Sequence, residues 1–192
     1  PKMKALTNMP EASRKTLADG SLLIQFETSP VMSTYFTAFV VGEFDYVERM
    51  LNNLKIRIYL YVGQEETGRF QLDIAHDITK YLNEYFAIDF PLPKMDLVAV
   101  PDFRGAMENM GLLVFNPEIL IVDNKTSMIK AADNAEVVAH EIAHQWTGDI
   151  ITCRWWSDIW LNEGMICVCV CVCVCVCMCK YAYDVLILCP HM

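Results

Sequence analysis

Cysteine is almost absent from the first 164 residues of this 192-residue chain, where Cys153 stands alone. The other eight cysteines fall between Cys167 and Cys189, and seven of them alternate with valine or methionine from Cys167 to Cys179. Cysteines two residues apart cannot pair with each other without severe strain, and no set of partners exists elsewhere in the chain. The sequence therefore excludes a disulfide-stabilised fold of the small secreted type.

Long apolar segments and clustered basic residues are also lacking. The longest apolar run, Met165 to Cys179, has 15 residues, fewer than the roughly 20 that a membrane-spanning helix needs. Lysine and arginine number 15 against 24 acidic residues, and the net charge of −9 argues against binding to a nucleic-acid backbone. We therefore expect no transmembrane segment in this chain and no nucleic-acid partner.

Both ends of the chain have unusual sequences. The chain begins with Pro1 and no signal-peptide pattern follows it, so we expect an internal fragment or a processed product. Residues 165–192 form a low-complexity tail whose Cys-Val alternation resembles a translated dinucleotide repeat. Our hypothesis is that this tail is repeat or intron sequence read through. A metal-binding cysteine tract and a short apolar strand are the alternatives.

Apolar residues recur at the spacings of strands and helices along the chain. From Ser21 to Val41 the pattern is that of strands alone, with an alternating stretch at Leu22–Phe26 and an apolar run at Tyr35–Val41. After Leu54, strands and helices interleave, which predicts an α/β or α+β fold. The predicted strands are Leu54–Val62, Leu97–Val100, Leu112–Phe115 and Ile119–Val122, and the predicted helices are Gly68–Phe86, Ala131–Gln145 and one from Trp155 to at least Leu161.

Two of the four histidines, His140 and His144, lie in the helix predicted over Ala131–Gln145. Residues four apart project from one face of a helix, and two imidazoles placed in this way can bind one zinc ion. Glu141, beside them, is placed to accept a proton from a zinc-bound water. Taken alone, the motif is also compatible with a helix that carries two ordinary histidines, either exposed or in the core.

A carboxylate that completes a metal site is predicted on the following helix, at Glu163. Gly148 and the polar residues near Asp149 let the chain turn back, so an antiparallel helix pair brings Glu163 towards the histidines. Three protein ligands leave one position for water, which is the pattern of catalytic zinc. We interpret three tryptophans as the core of this helix pair rather than as a ligand-binding surface: Trp155, Trp156 and Trp160.

A third motif, Gly105-Ala106-Met107-Glu108-Asn109, follows the strand predicted at Leu97–Val100. Glycine and alanine permit the close approach of a bound chain, and the edge of a sheet can pair with a peptide. Glu108 in this setting can hold a cation. Taken alone, the pentapeptide indicates only a turn with a surface glutamate.

In this order and spacing, the three motifs resemble the zinc aminopeptidase family of puromycin-sensitive aminopeptidase, aminopeptidase N and glutamyl aminopeptidase. The resemblance runs from about Ser29 to Gly164, and it includes Pro30–Tyr35, Val41–Phe44, Tyr85-Phe86 and Pro91–Leu97. It implies an α+β fold in which residues 49–164 form an incomplete thermolysin-like zinc metallopeptidase domain. Residues 1–48 are then the end of a β-sandwich-like, all-β domain. From its repeat-like pattern, we expect the tail at 165–192 not to be native family sequence.

The resemblance also implies a role for each motif residue. It implies that His140, His144 and Glu163 bind one zinc ion per chain, and that Glu141 is the general base for the attacking water. It implies that Glu108 binds the free α-amine of the substrate, so that the substrates are peptides with a free N-terminus. The other implied substrate-binding residues are Gly105 and Ala106, which offer backbone groups, with Met107 and Asn109.

Two other interpretations stay open at this point. One is a catalytically inactive truncated product, or a mistaken gene model, that still binds zinc. The other is a zinc endopeptidase with the same helix motif, which Glu108 in its context disfavours. The compartment is open as well, because relatives are either cytosolic or anchored in the plasma membrane with an extracellular catalytic domain.

Overall fold

The computed structural model describes residues 3–166, which form two small antiparallel sheets, a larger mixed sheet and the helices that pack with it. Strand β1 (Lys4–Thr7) pairs with β4 (Phe39–Gly42), and β2 (Glu11–Thr16) pairs with β3 (Leu22–Phe26). Within residues 3–166, no helix has both the length and the apolar character needed to cross a membrane.

The larger sheet contains the remaining five strands, β5 (Asp45–Leu51), β6 (Leu54–Leu60), β7 (Lys94–Ala99), β8 (Ala106–Met107) and β9 (Leu112–Phe115). Their order across the sheet is β5-β6-β7-β9-β8. The three central strands run parallel, whereas β5 and β8 each pair antiparallel with a neighbour. The sheet is therefore mixed, and β8 lies at one edge of it.

Two long helices pack against each other, and both agree with the sequence-based prediction. Helix α1 (Arg69–Phe86) buries the side chains that recur at helical spacing, such as Leu72 and Leu82. Helix α3 (Met128–His144) begins where the Ser127 side chain accepts a hydrogen bond from the backbone N–H of Lys130. Helix α3 therefore starts three residues earlier than expected, because Ser127 caps it.

Two predicted strands differ from the structure: one is a helix, and the other becomes extended later than predicted. Residues Pro117–Leu120 form a short helix, α2, where a strand was expected at Ile119–Val122. The Asn116 side chain accepts a hydrogen bond from the Glu118 N–H, and proline at the first helical position favours a helical turn. The apolar run at Tyr35–Val41 begins as a 3₁₀ turn, Thr34–Phe36, and becomes extended at Phe39.

The tryptophans near Glu163 do not form the core that the sequence predicts. A 3₁₀ turn, Trp156–Asp158, precedes a helical segment at 160–166, and Trp155, Trp156 and Trp160 are 69%, 55% and 64% exposed. The tryptophan in the core is Trp146, which donates to the backbone carbonyl of Ile88. The prediction is wrong because the short 3₁₀ turn and the segment at 160–166 leave these indoles at the surface of the described residues.

A buried cluster of three charged side chains ties the sheet together. Asp96 on β7 accepts two hydrogen bonds from Arg57 on β6, at 2.7 and 3.0 Å, and lies 2.9 Å from the ammonium group of Lys94. Lys94 also donates to the carbonyl oxygens of Thr7 and Gly111, so it joins β1 to the loop before β9. Burial lowers the pKa of Lys94, and the charge of Asp96 opposes that shift.

We predict that Asp96→Ala lowers the free energy of unfolding by about 3–5 kcal/mol, because it leaves the buried Lys94 ammonium without its counter-charge. The control is Asp73→Ala, which removes an exposed partner of Arg49 and should cost about 1 kcal/mol or less. Urea unfolding of both variants measures the difference. Equal losses in the two variants would contradict the prediction.

Candidate active site

Helix α3 places His140, Glu141 and His144 at its C-terminal end. The two histidines are one turn apart on one face, and their Nε2 atoms are 3.1 Å apart. His144 is buried, whereas His140 is partly exposed. The helix therefore presents two imidazole nitrogens to one point from a rigid element.

Glu163 comes from the helical segment at 160–166 and reaches the same point. Its carboxylate oxygens lie 3.2 Å from Nε2 of His140 and 3.6 Å from Nε2 of His144. After the end of α3, the chain turns back toward this helix at Gly148, whose φ is 141°. A Cβ atom there would lie 3.2 Å from the carbonyl oxygen of His144, so glycine keeps this return tight.

The three donor groups fit a tetrahedral zinc ion. Ligand atoms about 2.0–2.1 Å from zinc at tetrahedral angles lie roughly 3.3 Å apart. The separations in the structure are close to this value: 3.1 Å between the two Nε2 atoms, and 3.2 and 3.6 Å from them to the two oxygens of Glu163. His144 Nδ1 is 3.2 Å from the carbonyl oxygen of Thr147, which can only accept, so Nδ1 carries the proton. The lone pair of its Nε2 atom is then free to bind a metal. In metal-binding histidines, a hydrogen bond from the other ring nitrogen usually fixes the tautomer in this way.

Glu108 and Glu141 add two buried carboxylates beside His144. One ligand atom of each of these three residues lies within 4.8 Å of the others. Burial raises the pKa of Glu141 to about 8, and the charges of Glu108 and Glu163 add to the shift. A cation bound here would favour the charged carboxylates, so the arrangement suits a metal ion and a second positive group.

The pentapeptide at 105–109 connects the sheet edge to these carboxylates. Gly105 is exposed, with a φ of 76° that favours glycine, and its carbonyl oxygen accepts from the Asn116 N–H. Ala106 and Met107 form β8, at the edge of the sheet and against α3. Glu108 and Asn109 follow and are buried. An extended chain could therefore pair with β8 and end at Glu108.

Four residues that the sequence reasoning did not single out contact the site. Thr147 orients His144, as described above. Burial raises the pKa of Tyr35. The negative charge of Glu108 and a hydrogen bond to Glu108 raise it further, so the Tyr35 hydroxyl faces that carboxylate. The Gln145 side chain forms hydrogen bonds with the backbone of Glu108 and with that of Gly111. For Gln145, the sequence carries no local signal of these contacts, because the partners are 34 and 37 positions away.

Asp149 is the fourth such residue, and its carboxyl group is buried. Neither of its oxygens has a hydrogen-bond partner among residues 3–166. Burial raises the pKa of Asp149 to about 9, and the charges of Glu108 and Glu141 add to the effect. In the metal-free chain this side chain is therefore neutral near pH 7.

Comparison with known proteins identifies matching sequences. The model of the "Peptidase family M1 domain" matches residues 70–183. "Aminopeptidase M1" of Arabidopsis thaliana is 46% identical over 167 residues, and "Puromycin-sensitive aminopeptidase" of Caenorhabditis elegans is 43% identical over 166. "Glutamyl aminopeptidase" of Homo sapiens is 44% identical over 163. These alignments cover 83–84% of this chain but only 17–18% of each relative.

We predict that the metal-free chain loses stability as pH rises above 5. The pKa of Asp149 is about 9 when folded against an ordinary value of 3.8, so the unfolded state releases the proton first. The stabilisation is therefore fully present below pH 3.8 and is lost progressively up to about pH 9, with a slope of at most about 1.4 kcal/mol per pH unit for each such group.

Denaturant unfolding in a chelator between pH 5 and pH 8 measures this slope. Asp149→Asn keeps the shape of the side chain, removes its titration, and should flatten the slope. The exposed Asp73→Asn should leave it unchanged. The same slope in Asp149→Asn and the unaltered chain would show that Asp149 does not titrate as described.

Proposed function

The chain belongs to peptidase family M1, and from this premise we propose that it carries the metal- and amine-binding part of a zinc aminopeptidase. The proposed reaction is hydrolysis of the N-terminal peptide bond of peptides with a free N-terminus. The chain spans 17–18% of the length of the relatives cited above, so the activity refers to a site of which these residues form one part.

We assign one zinc ion per chain to His140, His144 and Glu163. The support is the set of donor separations between 3.1 and 3.6 Å and the Nδ1 contact that leaves Nε2 of His144 free. Bound zinc would polarise the scissile carbonyl and make the attacking water acidic enough to lose its proton. The three side chains hold their donor atoms at one place before any substrate binds.

Glu141 accepts the proton of the attacking water in this proposal. It lies next to His140 in sequence, and its carboxylate is within 4.8 Å of the donor atom of His144. After attack, the same carboxyl group can return the proton to the leaving amine. Its burial keeps bulk water away from the transferred proton.

The position of Glu108 is the observation that carries the assignment as an aminopeptidase. The α-nitrogen and the carbonyl carbon of one residue are about 2.5 Å apart, since the two intervening bonds are about 1.46 and 1.52 Å long. Glu108 lies within 4.8 Å of Glu141 and His144. When the α-ammonium group of a peptide binds Glu108, the carbonyl group that reaches Glu141 is therefore that of the first residue. The bond placed for cleavage is then the N-terminal peptide bond.

The remaining pentapeptide residues hold the substrate backbone in this proposal. Among residues 3–166, strand β8 is the edge strand beside β9, so Ala106 and Met107 have one edge without a strand partner there. Gly105 allows close approach because it has no side chain. Asn109 is buried directly after Glu108, and its carbonyl oxygen accepts a hydrogen bond from the Leu112 N–H, which stabilises the turn. These contacts fix the direction in which a peptide enters.

We further propose that residues 49–164 are the first part of a thermolysin-like catalytic domain and that residues 1–48 end a β-sandwich-like domain. The two small sheets end at Gly42 and the mixed sheet begins at Asp45, which supports a division at residues 43–44, a few residues before the proposed one. The tail at 165–192 was predicted not to be native family sequence, and from residue 167 onward it lies outside the described residues.

We predict that zinc stabilises the chain with a stoichiometry of one. At a free zinc concentration 100 times the dissociation constant, the gain is about 2.7 kcal/mol, and thermal melting detects it. His144→Ala should abolish the gain, because it removes the buried donor. His76→Ala, on α1, should keep it. Zinc stabilisation that survives His144→Ala would place the metal elsewhere.

We predict that any cleavage by the zinc-loaded chain is of leucine 4-nitroanilide and not of its N-acetyl derivative, because Glu108 binds the free amine. Glu141→Gln should lower the rate by about 10²–10⁴-fold while zinc binding is retained, because the base is lost. The matched control, Glu136→Gln, changes an exposed glutamate of the same helix and should have no effect. Cleavage of the acetylated substrate would favour an endopeptidase, and zinc binding without cleavage would indicate an inactive piece.

A further inference from the structure

Gln145 connects the zinc-binding helix to the segment that carries Glu108. It follows His144 directly, caps the C-terminal end of α3 and is completely buried. Its Nε2 group donates to the carbonyl oxygen of Glu108 at 2.9 Å, and its Oε1 atom accepts from the N–H of Gly111 at 2.9 Å. The side chain thus binds both ends of the turn at 108–111.

Other contacts join the same turn to strand β7 and to the residue that follows β1, rather than to α3. The Asn8 side chain donates to the carbonyl oxygen of Met110 at 2.8 Å, and Lys94 donates to that of Gly111 at 2.8 Å. Gly111 has a φ of 73°, and a Cβ atom there would lie 2.8 Å from the carbonyl oxygen of Asn8. In the described part of the chain, the two bonds of Gln145 are therefore the hydrogen bonds that join this turn to α3.

The distance between Glu108 and the zinc ligands matters because the substrate spans it with fixed bonds. An ammonium group and the adjacent carbonyl carbon are about 2.5 Å apart, and a misplacement of about 1 Å can cost roughly 10²-fold in a positioned reaction. Glu108 is attached to the turn, whereas His144 is attached to α3. Any slippage between the two elements changes that distance.

We propose that Gln145 is a positioning residue that fixes the amine-binding carboxylate of Glu108 relative to the zinc ligands and so determines the preference for a free N-terminus. This inference rests on the proposed function. Gln145 contacts neither metal nor peptide; it acts through the backbone of Glu108 and Gly111.

A purely structural role is the alternative, and Gln71 provides the matched control. Gln71 is also completely buried, and its Nε2 group donates to the carbonyl oxygen of Ile119 at 2.9 Å, away from the site. Gln71→Met and Gln145→Met make the same change of an amide to a thioether of similar shape. A purely structural role predicts a loss of stability in both variants and nothing more. A positioning role predicts a change in amine preference in Gln145→Met alone.

Binding of two small zinc ligands, followed by calorimetry on the zinc-loaded chain, measures the effect. Leucine hydroxamate carries the α-amine, and 4-methylpentanoyl hydroxamate has the same side chain without it. The unaltered chain should bind the first more tightly. In Gln145→Met this ratio should fall by about tenfold or more, while binding of the amine-free ligand changes by less than about threefold. Gln71→Met should keep the ratio.

Hydrogen exchange of the Gly111 amide gives a readout that needs no ligand. Exchange should be at least about tenfold faster in Gln145→Met and unchanged in Gln71→Met, because only the former loses the acceptor. If Gln145→Met does not fold, Gln145→Glu replaces it. That variant keeps an acceptor for the Gly111 N–H but lacks the amide donor to Glu108, so it should protect Gly111 while lowering the amine preference.

The outcomes separate this inference from the function on which it rests. If the unaltered chain prefers the aminated ligand and Gln145→Met or Gln145→Glu keeps the full preference, the positioning role is overturned and the proposed function stands. If the unaltered chain shows no preference for the aminated ligand, the role of Glu108 fails, and the inference fails with it. Loss of the preference in the Gln145 variants alone supports the inference.

Discussion

Three buried carboxylates, those of Glu108, Glu141 and Asp149, gather at the C-terminal end of α3. No ion pair among residues 3–166 joins any of them to a lysine or an arginine. Burial raises the pKa of Glu141 to about 8 and that of Asp149 to about 9. Buried acids of this kind stay charged when a cation lies beside them. The proposed reaction brings two cations, zinc and the ammonium group of the peptide.

The fold holds these charges close together by joining two kinds of element. Helix α3 is packed on α1 and carries the histidines, while the turn at 108–111 belongs to the sheet and carries Glu108. Lys94 joins the turn to the buried cluster around Asp96, and Gln145 joins it to α3. Stability of the core and geometry of the site therefore depend on some of the same side chains, and damage to the core is expected to alter the site.

The sequence predicts the parts of the molecule that depend on local patterns. Helix α1 and strand β9 lie where periodicity places them, and the histidine spacing on α3 needs only helical geometry. Prediction fails where a nearby cap or long-range packing decides. Asn116 and Pro117 turn an apolar stretch into a helix, and the indole of Trp156 lies at the surface. The contacts of Gln145 join residues 34 and 37 positions apart, which no local pattern reveals.

X-ray absorption at the zinc edge of the chain loaded with one equivalent of metal tests the central claim directly. The site of His140, His144 and Glu163 predicts nitrogen and oxygen neighbours at about 2.0–2.1 Å, including two imidazoles. The nine cysteines of the chain offer a competing set of ligands, which would give sulfur neighbours at about 2.3 Å. A spectrum dominated by sulfur would contradict the account, and one without sulfur that loses its imidazole signal in His144→Ala would confirm it.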